Sequence, residues 1–328
     1  MRNKNYNQET ISEGIRAGDN KWLSRGITLI ESQLESDKTK SSALIESLLP
    51  LSGNSIRIGI TGVPGVGKST FVEAFGSQLT SLGKKLAVLS IDPSSSISKG
   101  SILGDKTRMA QLSMDSRAFI RPSPAGNSWG GVATSTRESI ILCEAAGHDV
   151  IIVETVGVGQ SETLVKDMVD FFLLLMLPGS GDELQGIKRG IMEMADAIFI
   201  NKSDGNMERA KRARKDFQNA LHLFPPAASD WTVPVELGSS LEKEGVDQMW
   251  KICQEFKAQT TESGWFEQNR KLQQIKWFHQ LISQRLEADF YTSASTKAKI
   301  KKAEDSIFTT QVSVRNAVDS LFTCQNQR

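Results

Sequence analysis

One segment of the 328-residue chain has the residue types and the spacing of a phosphate-binding loop. Residues 62–69 read Gly-Val-Pro-Gly-Val-Gly-Lys-Ser and match the pattern G-x-x-x-x-G-K-S/T, between an apolar run and a helix-like run. Glycines let backbone N–H groups turn toward phosphate oxygens, and the N-terminus of the following helix adds positive charge. In such a loop Lys68 bridges the β- and γ-phosphates, and the Ser69 hydroxyl can bind Mg²⁺. The predicted phosphate-binding residues are Gly62, Val63, Pro64, Gly65, Val66, Gly67, Lys68, Ser69 and Thr70.

Acidic side chains follow two apolar runs farther along the chain. Asp92 comes directly after the run 86–91, and Glu154 comes after the run 150–153. The carboxyl ends of parallel strands share the sheet edge at which a phosphate-binding loop lies, so both carboxylates can hold Mg²⁺ or its waters. Glu154 also begins the sequence Glu-Thr-Val-Gly, which resembles the D-x-x-G motif of GTPases. Asp105 lies in a polar loop that either folds over the γ-phosphate or stays in solvent.

A second motif, Asn-Lys-Ser-Asp at residues 201–204, follows the apolar run 197–200 and resembles the N-K-x-D motif of GTPases. The Asp204 carboxylate can accept hydrogen bonds from N1–H and the 2-amino group of guanine, whereas adenine offers neither donor there. The Lys202 stem can cover the base, and Ser-Ser-Leu at 239–241 resembles the S-A-x loop that closes the pocket. We therefore expect GTP and GDP rather than adenine nucleotides. The predicted base-binding residues are Asn201, Lys202, Asp204, Ser239, Ser240 and Leu241.

The sequence pattern around these residues predicts an α/β fold that would position them. Short apolar runs alternate with helical segments over residues 51–260, which is typical of a doubly wound, mostly parallel sheet covered by helices. Residues 1–50 are predicted to form a helical N-terminal extension, and residues 261–328 a helical C-terminal dimerisation arm. In that arm an apolar stripe either packs in a core or forms a dimer. The stripe consists of Leu272, Ile275, Phe278, Ile282, Leu286 and Phe290.

Composition excludes several classes of protein. With 39 Lys and Arg against 38 Asp and Glu, the formal net charge is +1, which argues against a protein that mainly covers nucleic acid or anionic membrane. No apolar run approaches the roughly 18–20 residues that span a bilayer, and the N-terminus lacks a signal-peptide core. The three cysteines and three histidines are scattered, without zinc-ligand spacing. We expect a cytoplasmic protein with no membrane and no nucleic-acid partner.

Longer blocks of sequence resemble the methylmalonyl-CoA mutase-associated GTPases, the MeaB/ArgK-type proteins. The blocks cover residues 23–31, 59–70, 88–95, 100–109, 119–124, 154–162 and 184–191. The resemblance implies a homodimeric, Mg²⁺-dependent GTPase that assists a cobalamin-dependent acyl-CoA mutase. It implies that the protein gates delivery of adenosylcobalamin and protects or reactivates the mutase. Trp129 and Ser203 depart from the family pattern, and residues 306–328 match it least.

The resemblance also implies roles for particular residues. Catalytic roles fall to Lys68, Asp92, Asp105 and Glu154, and the implied Mg²⁺ ligands are Ser69, Asp92, Asp105 and Glu154. A further segment resembles the family's additional switch, which responds to the mutase, although a polar loop before a helix would have a similar sequence. That segment consists of Gln185, Gly186, Ile187, Lys188 and Arg189.

The residue that orients the attacking water is not identified by the motifs. Val158 directly follows Gly157, at the place where Ras-like enzymes carry a glutamine. We therefore expect slow hydrolysis by the isolated protein and faster hydrolysis once a partner orders the switch loops. Gln160 and Asp92 are the candidate substitutes.

Three other functions remain open on the sequence. A nucleotide-dependent kinase of a transport (periplasmic-binding-protein) system would need an acceptor-activating base, and no H-R-D kinase loop is present. A nickel-type metallochaperone GTPase would need a His/Cys site. An RNA-associated or structural GTP-binding module is supported only by the charged run 208–215, which also fits a solvent-exposed helix face.

Overall fold

The computed structural model describes residues 7–32, 34–92, 109–124, 129–155, 161–179 and 189–322. It divides into two compact units, one ending at Arg270 and the other beginning at Lys271. The strands are β1 (Ile56–Gly62), β2 (Leu86–Asp92), β3 (Ala118–Pro124), β4 (Val150–Thr155), β5 (Phe171–Met176), β6 (Ala197–Ile200) and β7 (Val235–Leu237). The helices are α1 (Gln8–Arg16), α2 (Asn20–Ile30), α3 (Glu35–Leu48), α4 (Lys68–Ser81), α5 (Trp129–Ala145), α6 (Ser161–Lys166), α7 (Arg189–Met194), α8 (Met207–Leu221), α9 (Val246–Glu262), α10 (Trp265–Thr292), α11 (Ala294–Phe308) and α12 (Val314–Phe322).

The strands form one seven-stranded sheet in the order β3-β2-β4-β1-β5-β6-β7, and every neighbouring pair is parallel. The predicted doubly wound α/β core is thereby confirmed. β1 lies between β4 and β5. Strands β2 and β3 lie on one side of β1, whereas β5, β6 and β7 lie on the other, so the strand order reverses at β1. The carboxyl end of a strand at such a reversal is where α/β sheets bind ligands. The apolar-run pattern misses β3, an edge strand that contains an arginine and two prolines.

Helices bury both faces of the sheet. On one face, Phe71, Phe75 and Phe256 belong to a core cluster with β1 and β4 residues. On the other face, the N-terminal helices contribute fully buried side chains to a cluster that includes residues of β2, β4 and α5. Burying each of these side chains contributes about 1.5–3 kcal/mol, so α1–α3 are an integral layer of the first unit. The N-terminal members of this cluster with no exposed surface are Ile15, Leu23, Ile27, Leu44 and Leu48.

A network of ion pairs lies at the amino edge of the sheet. Arg270, in the first part of α10, donates through Nε and Nη2 to the two Asp170 carboxylate oxygens, both at 2.7 Å. Arg57 of β1 pairs with Glu144 of α5 at 2.9 and 3.0 Å. The Ser55 hydroxyl donates to Glu144, and the Ser55 carbonyl accepts from Arg270, so the two pairs are joined. This network fixes the start of α10 to the sheet.

The second unit contains the rest of α10, α11 and α12. Phe290 and Phe322 stack with ring centroids 5.0 Å apart, which joins α10 to α12. One side of α10 exposes a row of large apolar side chains, namely Leu272, Ile275, Phe278, Ile282 and Leu286. The arm predicted to start at residue 261 thus shares its first helix with the first unit, whose boundary falls at Arg270. In the described ranges, no helix has the length and hydrophobicity to cross a bilayer.

Candidate nucleotide-binding site

The predicted phosphate-binding loop connects β1 to α4. Gly62 ends β1 where a Cβ atom would lie 2.5 Å from the Leu175 carbonyl oxygen, so only glycine fits there. Gly65 and Gly67 adopt φ angles of 75° and 94°, in the left-handed region that favours glycine. Gly67 is the residue before α4, and it has no side chain that could accept hydrogen bonds from the first N–H groups of the helix. Such an uncapped helix N-terminus is suited to bind phosphate oxygens.

Lys68 lies at the first position of α4 and folds back over this loop. Its Nζ donates to the Gly62 carbonyl oxygen at 2.8 Å and to the Val63 carbonyl oxygen at 3.5 Å. Burial lowers the pKa of the Lys68 ammonium, and the charges of Glu154 and Glu162 act in the opposite direction. The ammonium is therefore held against the backbone of the loop, and two acidic groups act on its charge.

Ser69 and Glu154 form a second polar contact at the same edge of the sheet. The Ser69 hydroxyl donates to Glu154 Oε1 at 3.3 Å, and Glu154 is 2% exposed. β4 continues to Thr155, so Glu154 lies inside the strand. There it is in register with Ile60 of β1. A hydroxyl and a carboxylate oxygen are ligands that Mg²⁺ takes together with phosphate and water, so this pair fits the ion. In the described ranges no three His, Cys, Asp or Glu residues cluster as a complete metal site, so phosphate and water would supply the other ligands.

Asn201 connects the predicted base motif to both neighbouring loops. It follows β6, is 2% exposed, and donates through Nδ2 to the Val66 carbonyl oxygen at 2.8 Å. Its Oδ1 accepts from the backbone N–H and the hydroxyl of Ser240, each at 2.8 Å. One amide side chain thus holds together the phosphate loop, the Asn-Lys-Ser-Asp segment and the loop after β7.

The other base-motif residues differ in how far solvent reaches them. Lys202 adopts a left-handed φ of 60°, which is uncommon outside glycine, and its Nζ donates to the Gly65 carbonyl oxygen at 2.8 Å. Asp204 is exposed in the short 3₁₀ turn Ser203–Gly205, so its carboxylate is accessible to a ligand. Ser239 is buried, whereas Leu241 is 73% exposed. The arrangement presents an accessible carboxylate beside a lysine stem, as recognition of guanine requires.

Several predicted residues cannot be compared with the structure. Asp105, Gln160 and the segment 185–188 lie outside the described residues. The backbone of Asp92 ends β2 and that of Arg189 begins α7, but the described part does not include either side chain. The structure therefore brings together Lys68, Ser69 and Glu154 on one side and the base-motif residues on the other.

Sequence reasoning assigned no role to Glu162, a buried acid whose charge acts on Lys68 in the structure. Glu162 is in the first turn of α6, is 4% exposed, and its charge acts on Lys68. It belongs to the block 154–162, but nothing in its spacing distinguishes it from a solvent-exposed helix acid. Its position becomes evident only from the packing of α6 near the phosphate loop.

The parallel sheet, the glycine-rich loop before α4 and the Asn-Lys-Ser-Asp segment define a P-loop protein of the GTPase class. Residues 23–295 match the family described as "Methylmalonyl Co-A mutase-associated GTPase MeaB". The chain belongs to this family.

Named relatives agree with this assignment. The chain is 48% identical to a "Putative GTPase" of Caulobacter vibrioides, over 91% of this chain and 92% of that protein. It is 47% identical to "GTPase ArgK" of Escherichia coli, over 83% of each chain. It is 42% identical to "Methylmalonic aciduria type A homolog, mitochondrial" of Mus musculus, over 93% of this chain and 76% of that protein. A solved structure of "LAO/AO transport system kinase" superposes with a TM-score of 0.78 and 35% identity, covering 98% of each chain.

Proposed function

We propose that the protein binds GTP and GDP with Mg²⁺, hydrolyses GTP, and serves as a chaperone of a cobalamin-dependent acyl-CoA mutase of the methylmalonyl-CoA mutase type. In this role it gates adenosylcobalamin loading and protects or reactivates the mutase. The observation that carries the nucleotide proposal is the set of Asn201 hydrogen bonds to Val66 and Ser240, because they join a phosphate loop to a guanine motif. The name of the matched family supports the mutase as partner.

The residues of the phosphate loop have distinct tasks in this proposal. Lys68 moves from the Gly62 and Val63 carbonyl oxygens to the β- and γ-phosphates and offsets their negative charge. Ser69 and Glu154 hold Mg²⁺, with Asp92 and Asp105 completing the metal-linked loops. The ion, when bound, supplies positive charge that stabilises charge developing on the phosphate oxygens. Phosphoryl transfer needs little else from the protein than position and charge.

The proposed rate of GTP hydrolysis follows from the absence of a glutamine at position 158. Val158 stands where a water-orienting glutamine would stand, so the isolated protein hydrolyses GTP slowly. Gln185, Gly186, Ile187, Lys188 and Arg189 form the switch through which the mutase accelerates hydrolysis. A purified protein that turned over GTP alone at about 5 per second or faster would contradict this proposal.

A homodimer completes the proposal. The row of exposed apolar side chains on α10 is a surface that a single copy leaves in water. Monomeric proteins seldom expose contiguous apolar patches of this kind unless they serve an interface. A second copy that contributes the same helix face would bury the row symmetrically.

One alternative has a specific observation in its favour. The solved structure that covers 98% of this chain carries the name of a transport system kinase. A kinase would transfer the γ-phosphate to a protein, whereas a GTPase releases it as inorganic phosphate. Release of phosphate without any phosphoprotein, in the presence of a periplasmic binding protein, would reject the kinase.

Nickel loading has no comparable support. Cys143 and Cys253 are buried, and burial raises the pKa of both thiols, which keeps them protonated and unsuited to bind a metal ion. The described residues hold no cluster of His, Cys, Asp and Glu that could serve as a nickel site.

The decisive experiment measures nucleotide choice and partner response together. Calorimetry on the pure protein should detect GTP and GDP but not ATP, and Lys68→Ala should abolish binding. The protein should then co-purify with a cobalamin-dependent acyl-CoA mutase in a nucleotide-dependent manner, and the mixture should hydrolyse GTP faster than the protein alone. Equal binding of guanosine and adenosine nucleotides would overturn the proposal.

A further inference from the structure

A cavity lies between α2 and β3, the edge strand of the sheet. Its volume is about 560 Å³, within the range of about 300–1,000 Å³ that small-molecule sites usually have. In the sheet, β2 and β4 separate β3 from β1, the strand that leads into the phosphate loop. The cavity is therefore distinct from the candidate nucleotide site. Its polar lining residues are Asn20, Lys21, Ser24, Glu31, Ser113 and Arg121.

The guanidinium of Arg121 lines this cavity and is not fully paired. Its Nη2 forms an ion pair with the Glu31 carboxylate and donates to the Thr28 hydroxyl at 3.3 Å. Its Nε is buried, and in the part of the chain that the structure describes no atom accepts a hydrogen bond from it. The side chain is 20% exposed, so ligand atoms in the cavity can reach the group. Because a guanidinium has five N–H donors, Arg121 can bind a further acceptor besides Glu31.

The ammonium of Lys21 gives the cavity a second cation. Lys21 lies in the first turn of α2 and is exposed. Among the described residues no carboxylate forms an ion pair with its side chain, and the preceding Asp19 accepts from the Lys21 backbone N–H at 2.7 Å. The lining thus has two cations and one acid, Glu31, which is already paired with Arg121. This excess of positive charge favours an anionic ligand.

Apolar groups form the rest of the lining. Phe119, Ile120 and Pro122 of β3 contribute apolar surface, and the hydroxyls of Ser24 and Ser113 can donate or accept hydrogen bonds. Sites for small molecules commonly combine apolar walls with a few polar groups that orient the ligand. The lining therefore fits an organic molecule with a charged end better than a bare inorganic ion.

We propose that this cavity binds a small organic anion, whose carboxylate or phosphate group pairs with Lys21 and Arg121 and whose apolar body lies on the β3 side chains. The inference goes beyond the proposed function, because it assigns a ligand site at the other side of β2 and β4 from the phosphate loop. A ligand bound there leaves the nucleotide site free.

Phenyl phosphate and phenylacetate are suitable probes, because each joins an apolar ring to one of the two candidate anionic groups. The protein is first saturated with GDP and Mg²⁺, so that the phosphate loop is occupied. We expect calorimetry on the full chain to give a Kd of about 1 mM or lower for at least one probe. Inorganic phosphate and phenol, each with half of the required chemistry, should bind at least about tenfold more weakly. Tighter binding of phenyl phosphate would assign the site to phosphate esters, and tighter binding of phenylacetate to carboxylic acids.

Two variants test the named contacts. Lys21→Gln removes one cation at an exposed position and should raise the Kd of the probe about five- to tenfold. Ser24→Leu keeps both cations but fills part of the cavity, so it should abolish detectable binding. Lys40→Gln is the matched control, since Lys40 is an exposed lysine of α3 outside the lining. It should leave the Kd within about twofold of the original value, and circular dichroism checks that each variant is folded.

Failure of both probes to bind, or an equal loss of affinity in Lys21→Gln and Lys40→Gln, would overturn the inference. The nucleotide-free Lys68→Ala chain provides an independent readout, because it should bind the probe as well as the GDP-saturated protein does. Loss of binding in Lys68→Ala would place the probe in the phosphate loop and would also overturn the inference. Absence of guanine-nucleotide binding by the unaltered chain would instead overturn the proposed function, and the Lys68→Ala measurement, which needs no nucleotide, distinguishes the two failures.

Discussion

Asn201 and Val66 are joined by a hydrogen bond of 2.8 Å from a side-chain amide to a backbone carbonyl, although 135 residues separate them in the sequence. The same side chain accepts two hydrogen bonds from Ser240. A residue of the base motif thus fixes the shape of the phosphate loop. The two halves of the candidate nucleotide site are therefore joined directly by one side chain.

Asn201→Ala should weaken GTP binding by about tenfold or more, because it removes the side chain that connects the phosphate loop to the base motif. The buried partners left without hydrogen bonds should also destabilise the fold, by about 1–3 kcal/mol each. Calorimetry measures the affinity. Asn206→Ala is the control, since the Asn206 side chain caps α8 by accepting from the Arg209 N–H at 2.9 Å. Its loss should cost about 1 kcal/mol of stability and leave the Kd unchanged. Equal Kd values for both variants would show that Asn201 does not hold the site together.

Asp204→Asn should remove the preference for guanine without unfolding the protein, because the Asp204 side chain is exposed. The amide cannot accept from both N1–H and the 2-amino group, so GTP affinity should fall by about tenfold to a hundredfold. The exposed Asp216 on α8 offers a matched control, Asp216→Asn, which should bind GTP normally. Competition between GTP and ATP for binding to each variant measures the preference for guanine. If Asp204→Asn still preferred GTP to ATP, recognition of the base by this carboxylate would be contradicted.

Arg270→Met should destabilise the first unit by about 3–5 kcal/mol, because it leaves the Asp170 carboxylate buried and without its bidentate partner. Urea unfolding measures the loss. Combining it with Asp170→Leu should recover part of the stability, since a buried pair can be replaced by apolar residues of similar volume. The surface pair Lys211 and Glu208 is the comparison, and Lys211→Met should change stability by about 1 kcal/mol or less. A loss that small for Arg270→Met would refute the structural role of the network.

Stability should fall as the pH rises from 4.5 to about 7 because of Glu138. Burial raises the pKa of Glu138 from 4.5 to about 7. Between these values the unfolded chain has released the proton that the folded chain still holds, so the free energy of unfolding decreases with pH, by up to roughly 3 kcal/mol. Glu138→Gln removes this proton and should flatten the decrease, as measured by urea unfolding at about pH 5 and about pH 8. If the free energy of unfolding changed with pH equally in the unaltered protein and in Glu138→Gln, the assignment to Glu138 would be disproved.

Phe278→Glu should convert the proposed dimer to a monomer, because it places a charge in the exposed apolar row of α10. Sedimentation equilibrium measures the change. Gln284→Glu is the control: at about 100° per residue Gln284 lies on the side of α10 opposite the middle of the apolar row, where a charge should leave the dimer intact. A monomeric unaltered protein would refute the dimer.

Local sequence was sufficient to predict strands inside the sheet, such as β1, β4 and β5, because they read as apolar runs with few polar interruptions. It failed for β3, where Arg121 and two prolines interrupt the run and edge position makes them tolerable. The phosphate loop was likewise predictable, since its function depends on consecutive residues.

Contacts between distant segments were not predictable in the same way. The burial of Glu162 depends on how α6 packs, and the ion pair between Arg270 and Asp170 depends on where α10 begins. Neither arrangement leaves a periodic pattern or a fixed spacing in the sequence. Such residues become visible only when tertiary structure brings charges together.

The prolines of β3 also protect the sheet against uncontrolled association. Leu86 N–H donates to the Arg117 carbonyl oxygen, so alternate residues from Ala118 onward turn their backbone groups away from β2. Pro122 and Pro124 fall in this outward set and have no N–H, while the Ala118 N–H is used by Asp115. Within β3 this leaves Ile120 as the outward residue with a donor to offer. A strand of another molecule that approached β3 would find almost no backbone N–H donors to pair with. Edge-to-edge association of sheets at β3 is therefore disfavoured.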